Sequence, residues 1–107
     1  MDFRRSKRVI TDFPAEVIWQ DRRYAGTVGN LSVEGAYVVT TPGHAGDAFN
    51  ENTLIELKFQ VPAGDKVHLH GRVKWSFLTP PHGYTLSLGI DLIDPPRTYL
   101  EALKTLQ

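Results

Sequence analysis

Two short groups of side chains in this chain could recognise an anionic, hydrogen-bonding ligand. The first is Arg4-Arg5-Ser6-Lys7-Arg8, with arginines four positions apart. A guanidinium is a planar fork that pairs two-pronged with phosphate oxygens or with the O6/N7 edge of guanine, and it stacks on bases. Lysine brings charge without that planarity. Across four extended residues Arg4 and Arg8 stand roughly 13 Å apart, enough to grip opposite sides of a nucleotide. The same run also reads as a solvated basic terminus, the commoner fate of such a segment. The second group is Asn30-Leu31-Ser32-Val33-Glu34-Gly35. Asn and Ser are turn formers by default, since both hydrogen-bond nearby backbone. Turned outward, the Asn30 amide oxygen can accept from guanine N1–H and N2–H₂, and the Ser32 hydroxyl can meet a phosphate or a base edge. Gly35 permits a positive φ or a close ligand approach that a Cβ would block.

The remaining constellations carry less. His68-x-His70 puts two imidazoles on one strand face, a spacing that some metal sites use. No third ligand is obvious from the sequence, so two exposed histidines are expected and no metal. Asp91 and Asp94 straddle a strand end and a helix start, where structural roles suffice. No nucleophile stands with a base, and there is no phosphate-cradling glycine loop or zinc-protease motif. Catalytic residues and cofactors are therefore not expected, and the chain is not read as an enzyme. Trp75 shares its strand parity with core residues, which favours packing inside. It also lies near its strand end, where it could instead face a base; such stacking is worth about 1–3 kcal/mol.

These side chains must be positioned by a small domain. The chain has 107 residues, enough for one core, and its Lys+Arg and Asp+Glu both number 12. Zero formal net charge argues against a protein that coats DNA or RNA through phosphates. Four basic residues fall in the first eight positions, so a local anion site is compatible with that balance. The absence of cysteine excludes disulfides, thiol catalysis and Cys-ligated metal. Neither a signal-peptide h-region nor a membrane-length apolar run is visible, and a cytoplasmic location is the expectation.

Alternation gives the elements. Residues 9–20 begin strand structure, with Pro14 marking the start, and Tyr24 to Val28 return after a polar turn at residues 20–23. The Asn30–Gly35 segment then links to Ala36–Thr40. Residues 41–53 read as a surface loop. In residues 53–61 Ile55, Leu57, Phe59 and Val61 alternate with polar residues, and residues 62–65 form a hairpin turn. Val67, Leu69, Gly71, Val73, Trp75 and Phe77 share one face of the next strand. Tyr84, Leu86, Leu88, Ile90 and Leu92 share a face of the last. Six such strands in a short chain want closure into a barrel or a two-sheet sandwich. Asp94 can cap a short helix in which Tyr99, Leu100, Leu103 and Leu106 recur at helical spacing. That helix is expected to pack on its own barrel, the alternative being an interaction helix.

Taken in order, Arg4-x-x-x-Arg8 followed by Asn30-x-Ser32-x-x-Gly35 on an all-β chain resembles the PilZ family, small β-barrel receptors for the bacterial second messenger cyclic di-GMP. The resemblance covers nearly the whole chain. It implies one domain over residues 1–107, with a flexible, ligand-clamping tail at 1–8, a six-stranded antiparallel β-barrel at 9–93 and a C-terminal helix at 95–107. It implies that Arg4 and Arg8 contact guanine and phosphate, that Asn30 and Ser32 hold a guanine edge, and that Gly35 keeps the turn open. Arg5 and Trp75 are further ligand-binding candidates. Where Asn30 stands, the family often has Asp; the swap removes a charge that would oppose a dianionic ligand. The implied role is a receptor or adaptor, monomeric or homodimeric, that signals to a protein partner without binding DNA or entering a membrane. Two other readings are a PilZ-like protein-interaction module that takes no nucleotide, and a small oligonucleotide-binding barrel. The latter would want basic and aromatic residues spread over one sheet face, of which Arg72, Lys74 and the strand histidines are a thin version.

Overall fold

Val17, Val28, Val38, Leu57, Leu69 and Leu88, one from each of six strands, are almost fully removed from water and meet in a single core. They do so because each strand alternates apolar and polar residues, and only closure buries every apolar face at once. The computed structural model describes residues 8–41, 49–79 and 85–106. The strands are β1 (Val9–Trp19), β2 (Arg22–Leu31), β3 (Gly35–Thr40), β4 (Leu54–Gln60), β5 (Lys66–Thr79) and β6 (Thr85–Ile93). A helix, α1 (Arg97–Leu106), follows. The strands pair antiparallel throughout and form a closed barrel in the order β1-β2-β3-β6-β5-β4.

Several boundaries differ from the sequence reading, each for a local reason. Strand β1 starts at Val9, not at Pro14. Pro14 pairs with Thr27 of β2, while pairing with β4 begins only at Ala15. A proline is tolerated where a strand has one neighbour, because its missing N–H need not break a ladder. Strand β2 turns back through Gln20 and Asp21, both at positive φ, and runs on to Leu31. Asn30 therefore lies inside a strand and not in the link, and only Ser32, Val33 and Glu34 make the turn.

The expected surface loop after β3 contributes a core residue. Phe49 is 1% exposed and meets Trp19 and Tyr24 edge-on, with ring centroids 5.5 and 5.4 Å apart. Such T-shaped contacts are favoured by the ring quadrupoles. Helix α1 packs on the barrel through Tyr99, Ala102 and Leu103, which join the same core cluster. Asp94 does not cap it. Its φ is positive, which ends β6, and the Pro96 carbonyl accepts the first helical bonds from the Tyr99 and Leu100 N–H groups. Among the described residues no helix is long and apolar enough to cross a membrane.

Candidate functional site

The register of the barrel aligns a transverse row of outward-facing residues. Ile10 of β1 pairs with Asn30 of β2, Asn30 with Tyr37 of β3, Tyr37 with Gly89 of β6, and Gly89 with Trp75 of β5. Every register shift between the paired strands touches this row. One extra residue, Gly29, separates the pairs Val28–Val38 and Asn30–Tyr37. Another, Lys74, separates Val73–Ile90 from Trp75–Gly89. In β1, Thr11 and Asp12 stand opposite the single residue Gly29, one residue in excess, and the Thr11 hydroxyl donates to the Val28 carbonyl at 2.8 Å.

A β-bulge re-aims the side chains that follow it. Were Gly29 an ordinary paired strand residue, Asn30 would share the inward parity of Tyr24 and Val28. With the bulge, Asn30 is turned outward and Leu31 is fully buried. The same device acts in β5. Val67, Leu69 and Val73 are buried, but after Lys74 the expected parity is broken: Trp75 is 41% exposed and Phe77 is 64% exposed. The core placement of these two aromatics is thus corrected, and Trp75 belongs to the outer face.

Two glycines make room for flat aromatic rings on that face. A Cβ on Gly89 would lie 2.2 Å from Cε2 and Nε1 of the Trp75 indole. A Cβ on Gly29 would lie 2.7 Å from the Tyr37 ring. The two rings are neighbours, with centroids 5.9 Å apart and planes tilted by 33°. The Tyr37 hydroxyl and Ser87 Oγ share a hydrogen bond of 3.1 Å. Tyr37 was missed by the sequence reading. The available signal was a glycine in the neighbouring strand, which often marks a bulge or a close approach. Gly89→Ala is expected to push the indole off its seat while costing stability within about 1 kcal/mol, because the ring can leave toward solvent. Tryptophan emission should shift to the red. Unchanged emission would mean that Gly89 is not what seats the ring.

Arg8 reaches the other end of the row. Its Nη1 donates to Asn30 Oδ1 at 2.8 Å, across 22 positions of sequence. The amide keeps a second oxygen lone pair and both N–H donors. Arg4 and Arg5 lie outside the described residues.

The turn beside Asn30 is held from within. Ser32 Oγ accepts from the Gly35 N–H at 3.0 Å, and its hydroxyl donates to the Gly35 carbonyl at 3.3 Å. Ser32 is buried, so its hydroxyl is committed to this turn rather than presented outward. Gly35 is required by a close backbone neighbour, and not by a positive φ. Positive φ among glycines occurs at Gly64, not at Gly35, among the described residues. A Cβ at Gly35 would meet the Ile90 carbonyl oxygen at 2.8 Å, so it is the β6 backbone that approaches closely. Below the turn, the Tyr99 hydroxyl of α1 donates to the Ser32 carbonyl at 2.6 Å. Burial pushes the Tyr99 phenol well above its usual range, which keeps it a donor at neutral pH.

The fold and the row define a closed six-stranded barrel with an amide, a guanidinium and two aromatic rings on one outer surface. The family model for the PilZ domain matches residues 2–106. The chain belongs to the PilZ family. No curated protein matches the chain significantly. Among solved structures it is similar to the Bacillus subtilis inhibitor of motility MotI/DgrA, at 16% identity and a TM-score of 0.75. That likeness covers 96% of this chain, which spans 48% of the MotI chain. It is also similar to the PilZ domain of Escherichia coli YcgR, solved with c-di-GMP, at 12% identity and a TM-score of 0.75. There the likeness covers 98% of this chain and 92% of the YcgR domain.

Proposed function

We propose that this chain is a receptor for cyclic di-GMP that changes its surface on binding and signals to a protein partner. The observation that carries the reading is the Arg8–Asn30 contact, which joins the two halves of the motif at one end of a row that ends in Trp75. Arg8, with Arg4 and to a lesser degree Arg5, clamps guanine and phosphate. Asn30 reads a guanine edge. Tyr37 and Trp75 offer π-faces on which a base can stack. Ser32 and Gly35 act by fixing the turn that follows Asn30. On binding, the ligand covers this face of the barrel, and the changed surface is what a partner reads. The role is that of an adaptor and not of an enzyme.

Isothermal titration of the full chain with cyclic di-GMP, with GTP as the control ligand, tests this. Micromolar or tighter binding that discriminates against GTP is expected, and the stoichiometry separates one nucleotide from a stacked pair. No heat and no thermal shift at high ligand would overturn the receptor reading. A second reading, a protein-interaction module that takes no nucleotide, draws support from Phe77 and Leu78. Both are exposed on the part of β5 beyond Arg72, where pairing with β4 ends.

A further inference from the structure

The third ligand that His68-x-His70 lacked in the sequence is supplied by the neighbouring strand. Glu56 of β4 pairs directly with His70 of β5, and all three side chains point out of the barrel. One ligand atom from each of Glu56, His68 and His70 lies within 4.8 Å of the other two. His68 Nε2 is 2.6 Å from Glu56 Oε1, and the two imidazole rings have centroids 4.9 Å apart. We propose that Glu56, His68 and His70 form a divalent transition-metal site on the outer face of β4 and β5, with zinc as the reference ion.

The donor set and its spacing suit this chemistry. Two imidazoles and one carboxylate are ligands of borderline softness, which zinc and its neighbours prefer over the all-oxygen shells of calcium or magnesium. With bonds of about 2.1 Å, tetrahedral ligand atoms stand roughly 3.4 Å apart. Closing from the present spacing needs only side-chain rotation, and the side chains are exposed or half-exposed, so they are free to rotate. The ion takes the place of the proton now shared between His68 Nε2 and Glu56 Oε1. Three protein ligands leave a coordination position open to water. The ion also joins two strands, so it staples β4 to β5.

This site is separate from the row that carries Asn30 and Trp75. That row runs through β1, β2, β3, β6 and β5, and β4 is the strand it does not cross. The surrounding charges set the affinity. Lys58, paired with His68 in the register, is the opposing cation on β4, and Lys66 and Arg72 flank the histidines on β5. Lys58→Ala should therefore tighten binding.

The test is calorimetric titration of the full chain with zinc chloride in a non-coordinating buffer, read beside the thermal midpoint. One ion per chain at micromolar or tighter affinity is expected, with a raised midpoint. His70→Ala and Glu56→Gln should each weaken binding by roughly tenfold or more. The chain has four histidines, so a variant with His44→Ala and His82→Ala is the control and should bind as the parent does. Cobalt gives a second readout that is independent of stability, since its visible absorption reports the ligand set. That band should vanish in His68→Ala. Stoichiometric zinc binding that survives the joint change His68→Ala and His70→Ala would overturn the proposal, as would an absence of binding by the parent chain. Arg8→Ala should leave zinc binding intact.

Discussion

Arg8→Ala is expected to weaken cyclic di-GMP binding by about a hundredfold or more. A guanidinium makes charge-assisted hydrogen bonds, each contributing roughly 1.5–3 kcal/mol, and two of them to a phosphate or a guanine edge account for that factor. Lysine in its place should recover little, because it supplies a point charge without the planar fork. The thermal midpoint without ligand should barely move, since Arg8 is exposed and its bond to Asn30 is a surface contact. This split separates a ligand contact from a structural one. A variant that binds like the parent would remove Arg8 from the site, and with it the observation on which the receptor reading rests.

The second large effect concerns stability and centres on Tyr99. Its ring is 1% exposed and belongs to the barrel core, and its hydroxyl donates to the Ser32 carbonyl. Tyr99→Ala should cost about 3–5 kcal/mol, the range for emptying a buried aromatic site. Tyr99→Phe keeps the ring and removes the donor, so it should cost about 1–3 kcal/mol, the penalty of a lost buried hydrogen bond. Denaturant unfolding of the two variants measures both numbers. Equal losses in the two would mean that the hydroxyl, not the packing, dominates. The pH dependence has a definite sign. The folded phenol is held above its unfolded value of about 10, so its contribution is complete below that pH and is lost as pH rises through the folded pKa. Tyr99→Phe should flatten that alkaline loss.

Much of the barrel was legible because alternation is a direct record of which face is buried. Ile55, Leu57, Phe59 and Val61 on one side, and Leu86, Leu88 and Ile90 on another, lie where their parity puts them. The helix was legible for the same reason, through Tyr99 and Leu103. Parity fails wherever one residue is inserted; a strand glycine such as Gly29 can flag a bulge, but a lysine cannot. Lys74 looks like any outward strand residue, so nothing near it announced that Trp75 and Phe77 would change sides. Phe49 was hidden because a loop's composition says nothing about one side chain that folds back. The arginine and asparagine groups could be named as a pair, but not brought together, since their contact depends on the β1–β2 register. Tyr37 and Glu56 share one explanation: each acquires its interest only from a partner on another strand.

The bulges at Gly29 and Lys74 also bear on how such a surface can change over time. Point substitutions can alter what Asn30, Tyr37 or Trp75 contact while leaving each where it is. Drawing Gly29 into the ladder as an ordinary paired residue would do something else. It would swing the amide of Asn30 into a greasy interior and expel Leu31 to water, and no compensating side chain is nearby in sequence. The recognition surface is thus tolerant of spelling changes and intolerant of frame slips along the strand. A relative with altered ligand preference should differ from this chain by residue identity at these positions, while keeping the facing that the bulges give them.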